Sequence, residues 1–325
     1  MTTNGITKNA WAFGLALLLA ILLIATKFIQ PEFGISGLDS LSRAALPFAL
    51  ATLGMAIVVI SGGIDLSIAS IMAVCGVTAA VLMQRSGDGA APLVVIFVLT
   101  LGLAIGAING ALIVATRVPD IVVTLAMLFI WEGAAILILE SPGGTAAPWL
   151  RELIVGGVTF SGVPEDFTHW LPKSLVFLSC CFVLIWLPLR RSKLGLMFYA
   201  IGSDQLAAFR SGVPVNRTRI IAYALSGLCA ALGGLVLTMS TGIGEPVPGP
   251  YLLASVAAVV LGGVSLSGGR GGFLAPILAV FVLRLVRLDL TLMSFDPNVT
   301  TIVEGTIMVV VVMIGGLIAV RGRHA

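Results

Sequence analysis

The sequence predicts an all-α integral membrane protein with about ten transmembrane helices. Of its 325 residues, 58% are apolar and only 10% charged, and the mean hydropathy is +1.13. A soluble globular chain carries about a quarter charged residues. The apolar residues gather in uncharged windows of the length a helix needs to cross a hydrocarbon core, roughly 20 residues. Glycine is abundant, with 38 residues, and inside the windows it often stands beside Ala or Ser. Small residues let helices approach closely where lipid supplies no hydrophobic drive for association. Gly102, Gly106 and Gly110 form two such overlapping steps.

In chain order the windows are Trp11 to Ile24, Ala44 to Ile64, Ile68 to Gln84, Ala90 to Thr116, and Ile121 to Leu139 with Glu132 inside it. Then come Ser174 to Leu189, Ile220 to Gly244, Pro246 to Gly269, Gly271 to Leu283 with its extension, and Val299 to Val320 interrupted by Glu304. The first window lacks a convincing small-residue cleavage site before Lys27 and reads as a retained helix rather than a signal peptide. Basic residues concentrate at Arg190, Arg191, Lys193, Arg210, Arg217 and Arg219, and again in the tail from Arg321 to His324. Cytoplasmic loops retain Lys and Arg. With ten crossings, both termini and residues 192–219 are then expected inside, and the mixed-charge segment 140–173 outside. The whole chain, residues 1–325, reads as a single transmembrane domain.

Several functions are disfavoured by the same residues. No window matches the phosphate-binding pattern of Gly, four residues, then Gly-Lys and Ser or Thr, so ATP-driven work falls to another polypeptide. Cys75, Cys180, Cys181 and Cys229 lie in apolar stretches and indicate neither a zinc set nor a disulfide framework. His169 and His324 are far apart and offer no base for a nucleophilic triad, so no catalytic residue and no metal site is expected. A net charge of +3 on scattered basic residues gives no nucleic-acid footprint.

Three groups of residues are candidates for function. Ser61 to Ser67 places Gly62, Gly63, Asp65 and Ser67 between two windows, where the backbone is expected to break. Asp65 there reads either as a cap on the following helix or as part of a gate or ATPase-contact loop. It shares four identities with Leu261 to Ser267 at an offset of 200, too short an echo to prove duplication. In the basic loop, Ser203 can cap a short helix, with Asp204 and Gln205 in its first turn. Ala207 and Ala208 give it a slim face, and Ser211, Gly212 and Pro214 stop it. Such a helix suits docking. The third group comprises the ionisable residues inside windows, Glu132, Arg284, Arg287, Asp289 and Glu304. A charge near the bilayer centre costs about 2.5–3.5 kcal/mol on insertion scales, so these must pair, face protein or reach an interface. Arg284 and Arg287 share one helix face and need an acid such as Glu304 or Glu132 opposite. With Asn109, they are the candidate pathway residues, and Asp289 reads as the most interfacial of the charges.

Ser61 to Ser67, Tyr199 to Val213, Tyr223 to Gly227 and Ala257 to Gly269 together resemble the permeases of ribose-type sugar ABC importers, over about residues 40–320. The resemblance implies a type II-like ABC importer permease with a five-plus-five internal repeat, multi-pass in the bacterial inner membrane. It also implies a second permease copy or paralogue, a cytoplasmic ABC ATPase that holds the ATP and magnesium, and a periplasmic sugar-binding protein. No cofactor is implied in this chain, and its membrane faces would meet lipid. The helix near Ser203 to Gly212 would be the coupling helix. Two departures bear on the substrate: Pro119-Asp120 stands where family members commonly have Pro-Phe, and Arg284, Arg287 and Asp289 occupy a span that is rich in Asn and Gly in ribose permeases. The reading is a permease for a monosaccharide or related polyol, working by alternating access. The alternatives are a branched-chain amino-acid or urea type ABC permease, and a stand-alone ion-coupled carrier or channel, which would need no docking partner.

Overall fold

The computed structural model describes residues 4–158, 171–247 and 249–321. His169 and His324 lie outside the described residues, as does most of the expected outer segment beyond Val158. The helices are α1 (Asn4–Ile29), α2 (Ile35–Ile60), α3 (Ile68–Ser86), α4 (Ala91–Thr116), α5 (Asp120–Ile138) and α6 (Pro148–Glu152). They continue as α7 (Lys173–Arg191), α8 (Lys193–Ser203), α9 (Gln205–Arg210), α10 (Val215–Thr241), α11 (Tyr251–Leu261), α12 (Leu274–Leu292) and α13 (Pro297–Arg321). Among the described residues there is no strand, and seven helices are long and apolar enough to cross a membrane: α1 to α5, α7 and α10.

α2 is the axis of the bundle. It is buried without a break from Ala45 to Ile60, as expected of a helix that is apolar on every side. α10, α12, α11 and α7 pack around it. The glycine steps of α4 are a packing face: Gly102 meets Ala231 and the Gly227 carbonyl, Gly106 lies on the Tyr223 backbone, and Gly110 lies on Ile220. A second close crossing joins α3 to α10, where Gly76 faces the Gly234 carbonyl. α1 joins the bundle through α12, with Thr26 donating to Asp289 at 2.7 Å, and at the end of α11, with the Trp11 indole donating to the Leu261 carbonyl at 2.7 Å. Phe13, Leu17, Phe28, Phe129, Leu137 and Leu184 point outward, an apolar girdle suited to lipid.

Two element bounds correct the sequence reading. The window Ala44 to Ile64 holds a helix that starts nine residues earlier, at Ile35, and stops at Ile60, because Gly62 takes a left-handed turn at φ 86°. The window Pro246 to Gly269 is not one crossing. α11 has only 11 residues, and a loop follows in which Gly263, Gly268, Gly269 and Gly271 all adopt positive φ. The hydropathy reading runs through the break because Gly262 to Gly269 carries no charge.

The connections sort into two ends. At one, residues 61–67, 117–119, 192–214 and 262–273 meet: the Gly269 amide donates to the Ile60 carbonyl at 2.9 Å, and Arg219 pairs with Asp120. At the other, residues 139–158 fold across the ends of α3 and α10. There the Gly143 and Gly244 amides donate to each other's carbonyls, at 3.1 and 2.7 Å, and the Thr145 amide donates to the Ala80 carbonyl at 3.2 Å. The basic cluster from Arg190 to Arg219 is confined to the first end.

Candidate functional site

The basic end carries a short projecting helix. α9 is capped by Asp204, whose carboxylate accepts from the Ala207 amide at 2.9 Å. Ser203 is therefore not the cap. It closes α8 instead, donating back to the Tyr199 carbonyl at 2.8 Å, while Asp204 takes the extended conformation a cap requires. Gly212 stops α9 at φ 83°, with the Val213 amide reaching the Ala208 carbonyl at 3.0 Å. The slim face is only half right. Ala207 is exposed, but Ala208 is buried against Ile201 and Val215. The outward face presents Leu206, 58% exposed, and Phe209, 67% exposed, beside Gln205 and Arg210. Sequence reasoning missed these two apolar side chains, although their spacing, with Ala208 between them, is the signal of a helix whose small residue faces inward.

Beneath α9 the chain is threaded through glycines. The Gly202 backbone lies directly on the Ile60 carbonyl and the Gly269 amide, where a Cβ would collide with both. Gly268 packs on Gly62, so that an added Cβ would stand 2.8 Å from its Cα and 2.7 Å from the Gly202 carbonyl oxygen. The two loops that echo each other in sequence therefore touch each other and the root of the projecting helix.

Loop 61–67 is held from within by a buried polar chain. Asp65 accepts from the Ser67 amide at 3.0 Å, the Ser67 hydroxyl at 2.5 Å and the Ser226 hydroxyl at 2.8 Å. The Ser67 hydroxyl in turn accepts from the Asn109 amide at 2.7 Å, and Asn109 accepts from the Trp131 indole at 3.3 Å. Asp65, Ser67, Asn109 and Ser226 are fully buried. Burial pushes the Asp65 carboxyl up from the usual carboxylate range, and the Ser67 and Ser226 donors pull it back. Asp65 is not the expected cap: it binds the amide of Ser67, which itself precedes α3, so it fixes the loop rather than the helix end. Asn109 belongs to this chain of donors.

The intramembrane charges form a separate cluster. Arg287 pairs with Glu304 at 3.0 Å. Arg284 lies over the rings of Phe48 and Tyr251, 5.1 and 5.7 Å from their centroids, and its Nε is buried with no partner among the described residues. Arg284, Arg287, Glu304 and Phe48, with Pro250, Ala254 and Leu283, line a cavity of about 20 Å³. Glu132 is half-buried on α5 and takes no part in that ion pair. Asp289, in the last turn of α12, is buried against α1, where it accepts from Thr26. Among the described residues no group of His, Cys, Asp and Glu could hold a metal ion.

A many-helix membrane bundle with a projecting helix at its basic end and charges along its interior defines a multi-pass transport protein. Residues 37–312 match a family model described as the branched-chain amino acid transport system permease component, and the chain belongs to that family. The Autoinducer 2 import system permease protein LsrD of Escherichia coli (strain K12) is 30% identical over 322 residues, which cover 94% of this chain and 92% of the relative. The protein of that name from Shigella flexneri is equally similar. No solved structure matches the chain.

Proposed function

We propose that this chain is the transmembrane permease subunit of an ATP-driven importer for a monosaccharide or related polyol, with autoinducer 2 the first candidate solute. The observation that carries the reading is α9, a capped helix with Leu206 and Phe209 exposed at the basic end of a membrane bundle. Exposed apolar residues on a rigid, short element mark a protein contact, and a cytoplasmic ABC ATPase is the partner that gives such a contact a function. The basic cluster supports placing this end, with both termini, in the cytoplasm of a bacterial inner membrane. The opposite end then faces a periplasmic binding protein, and a second permease copy or paralogue completes the pathway.

The autoinducer 2 relatives favour a sugar-like solute over an amino acid, although the family description names branched-chain amino acids. Arg284, Arg287 and Glu304 supply polar groups that a hydroxylated solute can meet in passing. Uptake into inverted-topology-free vesicles, prepared with the permease, its ATPase and its binding protein, tests the reading. Labelled autoinducer 2 and ribose are expected to enter only when ATP is inside. Uptake by the permease alone, driven by an ion gradient, would contradict it.

A further inference from the structure

We propose that Asp120, Arg219 and Tyr223 form a clamp that passes movement of α9 to the loop between α2 and α3. The inference rests on the reading of α9 as the ATPase contact. Three elements converge at the clamp. Asp120 opens α5, where its charge also complements the helix dipole. Arg219 and Tyr223 stand on successive turns at the start of α10, which α9 enters through the turn at Gly212. One Asp120 oxygen is paired with the Arg219 guanidinium, and the other accepts from the Tyr223 hydroxyl at 2.7 Å.

The loop lies directly over this pair. A Cβ at Gly63 would stand 2.5 Å from Asp120 Oδ2 and 2.6 Å from the Tyr223 hydroxyl, so a larger residue there would push these groups aside. The Ile64 carbonyl accepts from Tyr223 at 3.4 Å and from Thr124 at 3.3 Å. On its other flank, the same loop touches Gly202 at the end of α8. Loop 61–67 is therefore held on both sides by the chain that leads into and out of α9. A rigid shift of α9 cannot leave it unmoved while Asp120 keeps its partners. The pair is shielded, with 22% and 13% side-chain exposure for Arg219 and Asp120, so water weakens it less than it would an open surface pair.

The test follows hydrogen exchange in the full complex with its ATPase in lipid nanodiscs, with and without ATP plus vanadate. In the wild type, amides at 203–212 and at 61–67 are both expected to change. Asp120→Asn is expected to keep the change at 203–212 and lose the one at 61–67, and Asp120→Glu to restore it. Because Asp120→Asn could hinder insertion, Tyr223→Phe, which removes one hydroxyl, provides a second variant with the same expected loss. A response at 61–67 equal to wild type in either inserted variant overturns the clamp. A wild-type complex in which 203–212 itself stays silent refutes the docking reading, and the clamp falls with it.

Discussion

The two buried polar clusters of this bundle are built on opposite terms. Around Asp65 every donor has an acceptor: two hydroxyls and an amide converge on the carboxylate, with Asn109 and Trp131 behind them. Around Arg284 the accounts stay open: a guanidinium lies on two aromatic rings, its Nε has no partner among the described residues, and a small cavity adjoins it. A satisfied network rigidifies its surroundings, whereas unused hydrogen-bonding capacity beside a cavity is available to a visitor. The first cluster fixes loop 61–67, and the second leaves an arginine with unused hydrogen-bonding capacity beside a cavity with room for about one water.

Substitutions break this comparison in order of size. Asp65→Leu orphans the Ser67 amide and the Ser67 and Ser226 hydroxyls. At about 1–3 kcal/mol for each buried group left unpaired, it is expected to abolish stable insertion, measured as folded protein recovered in detergent. Asp65→Asn keeps an acceptor and should lose less. Gly202→Ala drives a methyl group into the Ile60 carbonyl and is expected to cost about 1–3 kcal/mol, seen as a lowered melting temperature. Arg284→Gln removes a cation–π contact of about 0.5–2 kcal/mol, so the melting temperature should fall little while ATP-dependent solute uptake falls strongly. If Arg284→Gln unfolds the protein as Asp65→Leu does, the two clusters are alike and the contrast fails. The smallest effect concerns sidedness. A cysteine at Asp296, in a Cys180→Ser background, should react with an impermeant reagent added outside, without change in uptake; labelling only from the inner face would reverse the orientation.

Much of this was legible from the residues. Each of the ten apolar windows contains one helix, although that in Pro246 to Gly269 has only 11 residues and gives way to a glycine loop. The break at Gly62 and Gly63 was visible through its glycine pair and acid. The early end of α11 was read through because Gly262 to Gly269 carries no charge, although its glycine pairs repeat the signal at Gly62 and Gly63. The Arg287–Glu304 pair followed from the cost of isolated charge. Asp120 was visible only as a departure from the resembled permeases, and its partner Arg219 is 99 residues away, beyond any local pattern. Capping by Asp204 rather than Ser203, and the inward turn of Ala208, depend on a one-residue shift that composition does not resolve. A bulky residue at Ala208 would therefore disturb folding, while Ala207, Leu206 and Phe209 probe contact.

The central claim is that the outward face of α9 binds the ATPase. The most direct measurement is co-purification of the permease with its ATPase from membranes expressing Phe209→Asp. The account predicts a permease recovered at the wild-type level and melting temperature, with the ATPase absent from it and ATP-dependent uptake lost. Recovery of the ATPase in wild-type proportion, with uptake intact, would contradict it.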